Sequence, residues 1–146
     1  MLLQDCLCFQ LASLSRSMAR HYRERITPYG LTHTQFFMLL ALYEEEGATL
    51  SVLAEKTHLD RPTVTGLIDR LERDGWAVRQ ADPQDRRSFR VYLTPKAKEH
   101  REVLLRIYHE VNGRLLEQLG VEEWKRFRTL LERLGFGDDE ESSTPL

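Results

Sequence analysis

Residues Leu50 to Leu93 read LSVLAEKTHLDRPTVTGLIDRLERDGWAVRQADPQDRRSFRVYL, and the order of signals within them decides the fold. A short helical pattern over Ser51–Thr57 puts Leu50, Leu53 and Ala54 on the inner side. A tight turn follows at Thr57–Asp60. Asp60 then stands at the N-cap of a second helix, with Pro62 in the first turn, where its missing N–H leaves no hydrogen bond unmade. Val64, Leu67, Ile68 and Leu71 recur at helical spacing and predict that helix's buried stripe. Asp74-Gly75 stops it. Trp76-Ala77-Val78-Arg79 and Phe89-Arg90-Val91-Tyr92-Leu93 alternate like paired strands, with Asp82-Pro83-Gln84-Asp85-Arg86-Arg87 at the tip between them. Two helices, a turn and an arginine-tipped ribbon make a winged helix-turn-helix. Such a module lays its second helix in the DNA major groove and reaches the minor groove or the backbone with the ribbon.

Upstream, Leu7, Leu11, Leu14, Met18 and Tyr22 form an apolar stripe that predicts a helix from Leu7 to Arg25, closed near Pro28 and Gly30. Thr32-His33-Thr34-Gln35 is a capping-box pattern. The helix it opens runs to about Glu45 with Phe36, Leu39, Leu40 and Tyr43 as its apolar set, and Gly47 breaks it. Downstream of the ribbon, Thr94-Pro95 opens a long helix to about Leu119, carrying Val103, Leu104, Ile107, Val111, Leu115 and Leu116. Gly120 ends it. A last helix, Val121 to Leu134, carries Trp124, Phe127, Leu130 and Leu131, and Gly135 ends that one. These terminal stripes exceed what one winged module can cover, so they predict burial against a second copy of the chain. The expected fold is mainly α with a small β-wing. It comprises an N-terminal dimerisation helix in 1–30, a winged helix-turn-helix in 31–94, C-terminal dimerisation helices in 95–135 and a disordered acidic tail in 136–146. A homodimer also suits double-stranded DNA with a palindromic operator, whose half-sites lie about one helical turn apart.

The chain's 146 residues suit one core plus an oligomerisation element. A formal net charge of −2 does not advertise a nucleic-acid binder, but the charge is unevenly placed. Lys56 to Lys98 carries +4, whereas Asp138-Asp139-Glu140-Glu141 carries −4. No apolar run approaches the roughly 20 residues that span a bilayer, and MLLQDCLCFQ lacks the basic region and apolar core of a signal peptide. The expected location is cytoplasmic, with no membrane partner. Cys6 and Cys8 do not make a disulfide framework. His21, His33, His58, His100 and His109 include no pair at three or four residues on one helix, so neither metal nor cofactor is expected.

Thr63-Val64-Thr65 in the second helix, Leu71-Glu72-Arg73-Asp74-Gly75 at its end and Asp85-Arg86-Arg87 before Leu93-Thr94 together closely resemble the MarR family of bacterial transcription regulators. The resemblance runs roughly from Leu7 to Leu134. It implies an obligate homodimer, held by the terminal helices, that binds palindromic operators and usually represses. It also implies a D-x-R wing, here Asp85 and Arg87, in which the arginine enters the minor groove and the aspartate helps hold the wing. Within the family, Cys8-Phe9 followed by Ser15-Arg16-Ser17-Met18 and Tyr22 looks like the organic-hydroperoxide-resistance repressors. There an early-helix cysteine is the oxidant sensor and hydrogen-bonds to tyrosines of the dimer interface. Cys8 matches that cysteine and Tyr22 one tyrosine. His33 stands where the second tyrosine would be, and Ala12 at a third aromatic position. His33 would donate a hydrogen bond or, if protonated, stabilise a thiolate.

The DNA-contact candidates are Arg61, Thr63, Thr65 and Arg70 on the second helix and Asp85, Arg86 and Arg87 on the wing. Thr63, Thr65 and Gly66 are small enough for close approach to the groove floor; Arg61 and Arg70 suit phosphates or guanines. The same residues also read as an exposed helix face and a charged turn. The redox candidates are Cys8, Tyr22 and His33. A free cysteine is often just a small buried hydrophobe, but a helix start favours the thiolate. Cys6 projects about 200° from Cys8 around a helix and reads as incidental. A different effector, a small phenolic or aromatic ligand among Tyr22, Tyr29, His33 and Phe37, would leave Cys8 structural; those four equally read as core aromatics. A thiol peroxidase would need a substrate cleft and a recycling cysteine, and nothing in the sequence marks either. The expectation is a regulator, not an enzyme.

Overall fold

In a computed structural model that describes residues 1–136, the helices are α1 (Leu2–Asp5), α2 (Leu7–Ile26), α3 (His33–Glu44), α4 (Leu50–Thr57), α5 (Arg61–Arg73), α6 (Pro95–Glu99), α7 (Arg101–Leu119) and α8 (Val121–Leu131). The strands are β1 (Ala48–Thr49), between α3 and α4, and β2 (Ala77–Asp82) and β3 (Asp85–Leu93), between α5 and α6. The acidic tail expected over 136–146 lies, beyond Phe136, outside the described residues. The chain divides into two compact units, residues 1–111 and 112–146.

Local chemistry explains the helix-turn-helix in the first unit. The Thr49 hydroxyl caps α4 by accepting the Val52 N–H at 3.3 Å. His58 ends α4 in the left-handed conformation, with φ 53°, which turns the chain toward Asp60. The Asp60 carboxylate accepts the Thr63 N–H at 3.3 Å and caps α5. A cap contributes about 1 kcal/mol. Burying Val64, Leu67, Ile68 and Leu71 along α5 contributes about 2 kcal/mol each before ordering costs, so the stripe, not the cap, holds this helix. It packs near α3, whose Phe36, Met38, Leu39 and Leu42 are fully buried. The capping box on α3 forms as expected, with the Thr32 N–H donating to Gln35 Oε1 at 2.9 Å. The buried Gln35 amide also donates to Asp74 Oδ2 at 3.3 Å, tying the start of α3 to the end of α5.

The wing differs from expectation at its base. Gly75, at φ 78°, lets the chain leave α5, and the Trp76 N–H closes on the Leu71 carbonyl at 2.8 Å. Trp76 is therefore a core residue, 1% exposed, and the first long strand begins at Ala77 instead and runs on to Asp82. The sheet is antiparallel in the order β1-β3-β2, with Ala77 opposite Leu93 and Asp82 opposite Asp85. The register shifts between Ala81 and Asp82. The third strand, β1, was not expected; it pairs Ala48 with Val91 and Thr49 with Arg90.

The single helix expected from Pro95 is broken at His100. Thr94 caps α6 by accepting the Ala97 N–H at 3.2 Å, and His100 Nδ1 lies 2.8 Å from the Lys96 carbonyl at the other end. The His100 ring meets Trp76 edge-on at 5.4 Å and Tyr29 at 5.8 Å. These contacts fix the break.

The second unit, taken alone, holds the end of α7, then α8 and a π turn over Glu132–Phe136, so the α-helix stops three residues short of the expected Leu134. Its polar side carries Lys125–Glu122 and Arg128–Glu132 pairs at 3.2 and 3.7 Å. Val121, Leu130 and Leu134 are exposed. In the first unit Leu3, Leu7, Phe9 and Leu14 are exposed as well. Apolar faces of this kind in water call for a partner surface. Light scattering at micromolar concentration is expected to give the mass of two chains; a stable monomer would refute the dimer.

Candidate DNA-binding surface and thiol site

With the apolar stripe of α5 turned inward, Arg61, Thr63 and Arg70 are exposed and Thr65 is half-buried. The Thr63 hydroxyl donates to the Asp60 carboxylate, and this bond holds Asp60 below the usual carboxylate range. The Thr65 hydroxyl donates to the Arg61 carbonyl at 3.0 Å. Both hydroxyl protons are thus engaged within the helix. Each threonine still offers an oxygen lone pair to a base amino group and a methyl to a thymine methyl. The Arg61 guanidinium donates to Ser51 Oγ on α4. Arg70 lies back along the helix, with Nη2 3.9 Å from where a Cβ on Gly66 would stand.

The wing tip is held by two carboxylates. Asp82 accepts the Gln84 N–H at 3.0 Å and pairs with Arg90 Nε at 3.1 Å. These two contacts keep its carboxyl below the usual range, the Gln84 N–H contributing most. Asp85 accepts the Arg87 N–H at 3.0 Å, so its carboxylate braces the turn from which Arg86 and Arg87 project, both exposed. Farther down, Arg90 donates to the Gly47 carbonyl at 3.0 Å.

Cys8 is the second residue of α2 and is exposed, as is Cys6, the N-cap. Tyr22, near the other end of α2, is 5% exposed. Its ring lies 5.3 Å from Phe37, 5.6 Å from Phe36 and 6.1 Å from His33. Burial, with the Tyr108 phenol adding to it, pushes the Tyr22 hydroxyl up to about 12, so it remains a proton donor across the physiological range. Tyr108 was not singled out from the sequence. The available signal was its place between Leu104 and Val111, at helical spacing on one face of α7.

Tyr29 does not join this cluster. The 3₁₀ turn over Thr27–Tyr29 carries it away from α2, and its ring meets His100 instead. A cavity of about 640 Å³ opens between α3, α4 and α7. Of the four expected ligand-binding residues Phe37 alone lines it, together with Leu40, Tyr43, Lys56, Arg101 and Tyr108. Lys56 pairs there with Glu44 at 3.1 Å and Glu45 at 3.6 Å, and Arg101 donates to the Tyr43 carbonyl at 3.2 Å.

Of the two roles expected for His33, hydrogen-bond donor or protonated partner of a thiolate, the surroundings of the ring favour the first. Burial first, and then the Arg23 charge, lower its pKa, which favours the neutral ring over the imidazolium. As pH falls the unfolded chain takes up this proton first. The contribution of His33 to stability is therefore complete above about 6.5 and is lost as pH falls through its depressed folded value. An NMR titration is expected to place the His33 midpoint below 6.5; a midpoint above it would reject a half-buried ring held neutral by its surroundings.

Residues 31–89 match the MarR family. The chain is 33% identical over 138 residues, 92% of each chain, to the organic hydroperoxide resistance transcriptional regulator of Bacillus subtilis (strain 168). Among solved structures, a MarR transcriptional regulator from Methanosarcina mazei Go1 is 30% identical, with 86% of this chain and 90% of that one covered and a TM-score of 0.72. Overoxidised AbfR bound to DNA is 28% identical, with 89% and 90% covered and a TM-score of 0.74. Together with the outward face of α5 and the arginine-tipped wing, these similarities establish that the chain belongs to the MarR family of winged-helix transcriptional regulators.

Proposed function

We propose that this chain is a cytoplasmic, dimeric repressor that binds a palindromic operator and is released when an organic hydroperoxide oxidises Cys8. The observation that carries the reading is an exposed thiol at the start of α2, in a chain similar over nearly its whole length to an organic hydroperoxide resistance regulator. In this reading α5 enters the major groove. Arg61, Thr63, Thr65 and Arg70 face bases or phosphates, while Asp85 braces the wing that delivers Arg86 and Arg87 to the minor groove.

The redox step is a two-electron transfer. The Cys8 thiolate attacks the terminal peroxide oxygen; the S–O bond forms as the O–O bond breaks. Sulfur is oxidised to sulfenic acid, and the leaving alkoxide takes a proton to become the alcohol. A small thiol then displaces water from the sulfenic acid to form a mixed disulfide. Cys8 and Tyr22 are 14 residues apart on one continuous helix, which is about 21 Å. A hydrogen bond between them is therefore out of reach within one protomer, so in this reading the tyrosine donor for Cys8 comes across the dimer interface. Oxidation would add a polar oxygen at that interface and so bias the separation of the two α5 helices.

A second reading is favoured by the cavity beneath Lys56 and Arg101. Its aromatic and aliphatic lining suits a small phenolic or aromatic ligand, and it touches α4 directly. Two experiments test these readings, using a palindromic duplex selected by the wild-type protein from a random pool. Cumene hydroperoxide is expected to release the wild type and the Cys6→Ser variant but not Cys8→Ser, in a mobility-shift titration. Release by benzoate, with no response to peroxide, would replace the redox reading by the ligand one. Separately, Arg87→Ala should weaken binding of the selected duplex while the dimer stays folded. Each lost wing contact costs about 1–3 kcal/mol, and a dimer loses two. Unchanged affinity would remove the wing from DNA recognition.

A further inference from the structure

Between the recognition helix and the wing lies a carboxylate–guanidinium clamp. Both oxygens of Glu72, in the last turn of α5, are held by one residue of β2: Oε1 accepts the Arg79 backbone N–H at 2.8 Å, and Oε2 accepts Arg79 Nε at 3.1 Å, with Nη2 at 3.0 Å. The same Nη2 donates to Asp69, one turn earlier on α5. Arg79 and Glu72 are both largely sheltered, at 26% and 29% side-chain exposure, so the pair is screened less than a surface ion pair. The hairpin beyond is braced internally by Asp82–Arg90, and Arg90 also ties β3 to the Gly47 carbonyl ahead of β1. Arg79, in β2, carries the side-chain contacts described above that reach α5.

We propose that Arg79 is a positioning residue for DNA recognition: held by Glu72 and Asp69, it fixes the angle between the wing and the recognition helix, so that Arg86 and Arg87 reach one groove while α5 occupies the next. The reading rests on the winged-helix mode of DNA contact and is independent of Cys8. The lever is long. Arg79 stands three residues from the tip, about 10 Å, so a swing of roughly 10° at the base moves the tip by about 2 Å. A groove hydrogen bond, confined to about 2.7–3.2 Å, does not survive that shift. The clamp therefore converts two separate contacts, helix and wing, into one preorganised pair.

Charge makes the test decisive. Glu72→Gln removes a negative charge from beside the DNA-binding face, which by electrostatics alone should tighten binding to any duplex. The clamp predicts the opposite for specific DNA. Affinity of the full-length, reduced dimer for the duplex selected by the wild type should fall roughly tenfold, while affinity for a random duplex is unchanged or higher. A merely structural role would lower both together. Arg79→Lys keeps the charge and the backbone bond, but one ammonium cannot span both carboxylates; it should lose discrimination in the same direction. If Glu72→Gln fails to fold, Arg79→Lys carries the test alone. Tighter or unchanged binding of the selected duplex by Glu72→Gln, or wild-type discrimination in Arg79→Lys, would overturn the proposal and assign Arg79 to phosphate contact or to simple stability.

Discussion

Val64, Leu67, Ile68 and Leu71 are buried along one face of α5, and that burial leaves the helix no freedom to rotate. Turning it by one residue would bring Thr65 and Asp69 inward and expose side chains worth about 2 kcal/mol each, while burying a carboxylate. The outward face is fixed by what the inward face requires. From that face follow the exposed positions of Thr63 and Arg70, and the emergence of the chain at Gly75 in line with the wing. Trp76 continues the same logic, since its packing against Lys96 and His100 anchors the foot of the hairpin to α6. The candidate DNA-binding surface is the residue of a packing problem already solved on the other side.

Charge is sorted along the wing in a way that composition does not reveal. Arg79 faces Asp69 and Glu72, Arg90 faces Asp82, and Arg73 faces Asp74. Arg86 and Arg87, at the tip, are exposed, and Asp85 holds the Arg87 backbone N–H and not a guanidinium. The +4 excess between Lys56 and Lys98 thus mixes cations that hold the fold with cations that can meet a groove. This is why a modest regional charge accompanies a well-formed binding surface. Potential at the tip depends on the few arginines whose counter-charges lie elsewhere.

The helices and the hairpin were legible because their signals are local: Thr32, Asp60 and Thr94 at helix starts, stripes at helical spacing, a turn at Pro83-Gln84. What was not legible depends on contacts between distant residues. Two residues of β1 form a strand only because β3 lies beside them. Trp76 carries a strand-like pattern, yet the core behind it claims its side chain. The break at His100 needs Trp76 and Tyr29 on either side, and the same contact removes Tyr29 from the aromatic cluster expected around Tyr22. Tyr108 acts on Tyr22 from α7, and its helical spacing with Leu104 and Val111 marks it as inward without saying which residue it meets. Glu72 and Arg79 were visible as letters in the quoted stretch, but only the fold shows that one residue grips both carboxylate oxygens of the other.

The environment around Tyr22 bears on what a sensor built here could use. A cationic histidine would stabilise a thiolate by charge, and burial and Arg23, which lower the His33 pKa, disfavour that route. A phenol pushed up to about 12 offers the other route, a hydrogen bond from a donor that stays protonated across the physiological range. Activation by hydrogen bonding is weaker than activation by a full charge, so such a thiol would be tuned less by pH than by whether the donor is in reach. Reach is governed by the dimer, because 14 helical residues hold Cys8 about 21 Å from its own Tyr22. Under the redox reading, then, the reactivity of the thiol and the spacing of the two recognition helices depend on the same interface. A change in one is a change in the other, with no separate relay needed between them.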